Sequence, residues 1–130
     1  MHERSRLLPL AAISWLGLLV HNVADLPGQT VVSPETLYPG LVLALILAVH
    51  RFGPPRLGAG LLLVWAVLHL VGGGVLSVLP LPILPFAPEQ TLRHYTFHLL
   101  YALTQLPLLV VALRELRRPP RRGRSVGGRR

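Results

Sequence analysis

Four stretches of this chain carry apolar residues at nearly every position for long enough to be helices in lipid, and proline, glycine and arginine punctuate them. The first runs from Leu7 to Leu26, twenty residues or about 30 Å of helix. Pro27-Gly28 breaks it. Ser33-Pro34-Glu35 predicts the next start, with serine as N-cap, proline at the first helical position and a carboxylate in the first turn. This second helix extends over 34–52 and ends in a tight basic turn containing His50, Arg51, Gly53, Pro54, Pro55 and Arg56. The third covers 57–79 and includes Trp65, His69 and Gly72-Gly73-Gly74. Each glycine costs about 1 kcal/mol relative to alanine in a water-exposed helix. Within a membrane the run predicts a seam where a neighbouring backbone comes close. Pro80, Pro82, Pro85 and Pro88 exclude a continuous helix and predict an extended strap along the interface or over the bundle. The fourth helix is expected over 88–117, opened by Pro88-Glu89 and kinked at Pro107. Residues 118–130 hold arginine without apolar content and are expected to form a disordered cytoplasmic tail. The fold class is therefore all-α: one domain, residues 1–117, an integral membrane bundle of four transmembrane helices.

Composition supports that reading. Hydrophobic residues make up 52% of the 130 and charged residues only 14%, with a mean hydropathy of +0.54, too apolar for a soluble domain of this size. The basic start before Leu7 resembles a secretory signal, but the apolar run continues through His21, Asn22 and Asp25 with no small-residue cleavage site, so a retained first helix is expected. All thirteen basic residues are arginine. With four spans, twelve of them fall on one side, and Arg93 stands on the other beside Asp25, Glu35 and Glu89. The positive-inside rule then places both termini in the cytoplasm of a multi-pass protein of the cell membrane, most simply a bacterial cytoplasmic membrane. The arginine tail is expected to attract anionic lipid, at about 1 kcal/mol per residue near the surface. It has no interleaved aromatic residue, which argues against nucleic acid as a partner.

Against this apolar background the polar positions form a pattern of their own. His94, His98, Tyr101 and Gln105 lie within about 60° of one another on the fourth helix. Such a stripe cannot face hydrocarbon cheaply and must be covered by other helices. On the first helix Ser14, His21 and Asp25 share a face within about 40°, with Asn22 adjacent. At 1.5 Å per residue, His21, Asp25, His94 and His98 fall at matching heights in the outer leaflet. His69 and Gln105 match near the midplane. His50, next to Arg51, is expected at the cytoplasmic interface.

Two classes of function fit. In the first, the chain is a structural, accessory or partner-binding membrane protein, as a homo-oligomer or within a larger complex. Its histidines and amides are then interhelical hydrogen-bond glue, at about 0.6 kcal/mol each. In the second, His21, Asp25, His94 and His98 hold a ligand, with His69, Tyr101, Gln105 and Asn22 as a secondary pocket. Histidines at i and i+4 suit one transition-metal ion, with His21, Asp25 and His98 as the core set and His94 as the weakest member, beside Arg93. His21 and His98 could alternatively ligate haem b, and with either ligand the expected role is redox or transport. The chain has no cysteine, so thiolate metal sites and thiol nucleophiles are excluded. It has no phosphate loop or dinucleotide fingerprint, so any catalysis would run through a bound metal or cofactor.

Overall fold

The computed structural model describes residues 4–119, and side chains from Arg6 onward. Every regular element among these residues is helical: α1 (Arg4–Asp25), α2 (Pro34–Phe52), α3 (Pro55–Val67) and α4 (Leu92–Arg117). A π-helical segment (Leu68–Val75) and one 3-10 turn (Leu76–Val78) extend α3. Four helical stretches are long and apolar enough to cross a membrane, with α3 and its extension counted as one of 24 residues. The expected tail lies almost wholly outside the described residues.

The helices close into a ring in which α4 packs against α1 and α3, and α2 packs against α1 and α3. The polarity of the bundle is inverted relative to a water-soluble one. Its buried set includes Ser14, His21, Asn22, Thr36, His50, His94, His98 and Gln105. Its outer face carries Leu16, Val23, Leu41, Leu68 and Leu99, with Leu45 66% exposed. That distribution suits hydrocarbon outside and hydrogen bonding inside. The apolar core sits at the end nearer the N-terminus of α1, where Leu7, Ala11, Leu43, Leu62, Trp65, Ala66, Leu108 and Ala112 meet. Further along the axis comes a layer of hydrogen bonds, and His21, His94 and His98 occupy the far end.

Several local expectations are corrected. The third span is not one α-helix over 57–79, because the glycine run widens it into π-helix. Glycines hold α geometry weakly, and here their backbone is drawn onto α4. A Cβ on Gly73 would lie 2.6 Å from Tyr101 Cε1, and one on Gly74 would lie 2.9 Å from Ala102 Cβ. The fourth helix begins at Leu92 rather than 88: Thr91 is the N-cap, its hydroxyl accepting from His94 N–H at 3.2 Å. Glu89 is thereby left in the loop. Ser33 stands at the N-cap of α2 but makes no side-chain cap; its hydroxyl accepts from Thr30 N–H at 2.8 Å instead. The proline segment folds over the end of the bundle through turns, with Leu84 N–H bonded to Leu81 O at 3.1 Å. His50, in the last turn of α2 beside Arg51, is covered rather than open, since Gly58 lets α3 approach so closely that a Cβ there would fall 2.3 Å from His50 Cα.

Candidate metal centre

Three layers of polar contact run along the bundle axis. In the innermost, Trp65 Nε1–H donates to Ser14 Oγ at 2.9 Å and Ser14 Oγ–H donates to Gln105 Oε1. Gln105 Nε2 donates to Ser14 O at 3.1 Å. In the next, His69 Nδ1 pairs with the Tyr101 hydroxyl, and the Trp65 ring stacks on His69 at 3.8 Å between centroids. His69 and Gln105, matched in height by the sequence, thus take separate partners, Tyr101 and Ser14. Both residues face α4 or α1 partners one turn away, where a hydroxyl is already in reach.

The third layer is the cluster at the far end. His21, Asp25, His94 and His98 each offer a ligand atom, and these atoms lie within 4.8 Å of one another. The side chain of Asp25 is only 2% exposed, and the three histidines are buried as well. α1 supplies His21 and Asp25 from one face, and α4 supplies His94 and His98 from its facing stripe.

The hydrogen bonds around the cluster set the tautomer of every ring. Asn22 Nδ2 donates to Thr36 Oγ1 at 2.9 Å and to Glu35 O at 3.1 Å. This turns Asn22 Oδ1, a pure acceptor, toward His21 Nδ1 at 3.0 Å. His98 Nδ1 lies 2.9 Å from Gly73 O. His94 Nδ1 pairs with Asp25 Oδ2. An amide oxygen, a backbone carbonyl and a carboxylate can only accept, so each Nδ1 carries the hydrogen and each neutral ring keeps a lone pair on Nε2. While both rings are neutral, His21 Nε2 and His98 Nε2 face one another at 3.0 Å as two acceptors, an arrangement that a cation, either a metal ion or a shared proton, would satisfy. His94 Nε2 is buried and has no hydrogen-bond partner. One ring could turn its tautomer over, but only by aiming a lone pair at the acceptor beside its Nδ1.

Asp25 is engaged from two sides. Besides His94, the Arg93 guanidinium approaches Asp25 Oδ1 at 4.0 Å and donates to Ala24 O. His21 Nε2 stands 4.0 Å from Asp25 Oδ2. The contacts thus leave three Nε2 atoms free of acceptors, those of His21 and His98 3.0 Å apart and that of His94 buried, and three groups orient the rings: Asn22, Asp25 and the Gly73 carbonyl. Orientation of ligating histidines by such acceptors is the usual outer-shell arrangement of metal sites. It suits a bare ion better than haem. His21 Nε2 and His98 Nε2 are in direct contact at 3.0 Å, which leaves no space for a porphyrin between the two rings.

The sequence placed Asn22 beside the first-helix face and in the secondary pocket, not as the partner of His21, and gave no sign of Thr36, the Gly73 carbonyl or Ser77, which also lines the cavity beside the cluster. Asn22 at the position next to a histidine was the one readable signal. A backbone carbonyl from a π-helical segment leaves none. No protein-family model, curated protein or solved structure matches the chain.

Proposed function

We propose that the chain is a four-span integral membrane protein, with both termini in the cytoplasm, that binds one transition-metal ion through Nε2 of His21, His94 and His98. Imidazole suits zinc, copper, iron and nickel, and zinc is the ion we take, because three imidazoles with one open position is a known zinc coordination. The observation that carries this reading is the 3.0 Å approach of His21 Nε2 to His98 Nε2, with each Nδ1 set against an acceptor, so that the neutral rings would turn two lone pairs toward one another. Interhelical glue pairs a donor with an acceptor. Two acceptors held face to face make sense around a cation. Membrane insertion is supported by the apolar exterior and the buried polar set, and the orientation by the twelve-to-one arginine bias. In that orientation the cluster lies in the outer leaflet, and the arginine-rich end meets anionic lipid on the cytoplasmic side.

The test is equilibrium dialysis of the detergent-purified, chelator-stripped protein against buffered zinc. The wild type should retain one zinc per chain and His98→Ala should retain none. Equal, substoichiometric zinc in both would overturn the proposal.

A further inference from the structure

The cluster opens onto a cavity of about 260 Å³. Its base is the four site residues, its walls include Leu26, Pro27, Phe86 and Pro88, and Ser77 and Glu89 also line it. A single water takes about 30 Å³ in the liquid, so the space holds far more than one coordinated water. Structural zinc sites are closed by four protein ligands, whereas catalytic ones use three and keep the fourth position for water or substrate. Here the fourth side chain, Asp25, is already bonded to His94 and approached by Arg93.

We propose that this site is hydrolytic: a metal-activated water cleaves a carboxylic ester whose apolar acyl arm rests on the Phe86 and proline wall, with Glu89 as general base. The proposal rests on the metal reading above. Glu89 is exposed, lies outside α4 and lines the cavity. Its backbone is tied down on the following residue. Gln90 Nε2 donates to Val78 O and to Pro88 O, both at 3.1 Å, and the Tyr95 hydroxyl donates to Gln90 Oε1 at 2.5 Å. A carboxylate that shares the cavity of a metal-bound water can serve as its general base. The water gives one proton to the Glu89 carboxylate and its oxygen bonds the acyl carbon. The bond from that carbon to the alkoxy oxygen then breaks, and Glu89 returns the proton to the departing oxygen. One ester and one water become one carboxylic acid and one alcohol, with no oxidant or reductant.

The experiment uses the full chain in detergent, loaded with cobalt(II) or zinc. Acetohydroxamate added to the cobalt protein should change its visible absorption saturably, because a position is open. An unchanged spectrum would mean a closed site and would overturn the proposal. The zinc protein should hydrolyse p-nitrophenyl butyrate about 10²-fold faster than the metal-free protein, and Glu89→Gln should lose most of that gain. The Glu89→Gln variant should still bind zinc and hydroxamate as the wild type does. Equal rates with and without zinc, or a wild-type rate in Glu89→Gln, would each overturn it. A wild type that retains no cobalt or zinc would sink the metal reading itself, a result distinct from a loaded but inert site.

Discussion

Adjacent glycines in the π-helical segment should respond oppositely to the same substitution. A Cβ at Gly73 would meet Tyr101 Cε1 at 2.6 Å, Oη at 2.7 Å and Cζ at 3.0 Å, whereas one at Gly72 would meet nothing within 4 Å. Relieving the clash in Gly73→Ala requires the Tyr101 ring or the segment to move, at about 1–3 kcal/mol for overpacking. Moving the ring breaks its pairing with His69. Moving the segment carries the Gly73 carbonyl away from His98 Nδ1, which it now meets at 2.9 Å. Loss of such an orienting acceptor typically lowers metal affinity about 10- to 100-fold. Gly72→Ala should be neutral or stabilise by up to about 1 kcal/mol, since it removes a helix-weakening glycine without contact. Thermal unfolding in detergent and a zinc titration read both quantities. If the two alanine variants unfold alike and bind zinc alike, the close seam between this segment and α4 is wrong.

Reporter fusions at Thr30 should read as exported, and those after Arg56 and Arg117 as cytoplasmic; an exported reading at Arg117 would contradict the even number of spans. Ser14→Ala and Gln105→Leu should couple in a double-mutant cycle by about 0.6–1.7 kcal/mol, because Ser14 Oγ–H donates to Gln105 Oε1 within the same buried layer. Strict additivity in unfolding free energy would remove that layer from the account. Asp25→Asn keeps an acceptor for His94 Nδ1, so zinc should still bind, about 10- to 100-fold more weakly. Complete loss of zinc in that variant would make Asp25 a direct ligand.

Much of the architecture was legible because lipid spans are written in long apolar runs and because buried polar residues must share a face. The histidine and aspartate positions on α1 and α4 follow from 3.6-residue periodicity and from matched distance along the helices. What the sequence hid is local. Thr91 outcompeted Pro88 as the start of α4 because its hydroxyl reaches His94 N–H, and both are acceptable starts on propensity alone. The π-helical widening at Gly72–Gly74 depends on how closely α4 approaches, which only tertiary packing decides. The same approach delivers the Gly73 carbonyl to His98. The division proposed for the four site residues, three ligands and one orienting carboxylate, was also out of reach, since it rests on which ring nitrogen meets which acceptor. His94, adjacent to Arg93 and so judged the weakest member, is held in place by Asp25.

The central claim is that three imidazole nitrogens converge on one ion, and X-ray absorption at the zinc K edge of the loaded protein tests it most directly. The account predicts a first shell of three imidazole nitrogens at about 2.0–2.1 Å with one further oxygen, and outer-shell scattering from three rings. Zinc bound with fewer than three imidazoles, or no zinc edge above background after dialysis, would contradict it.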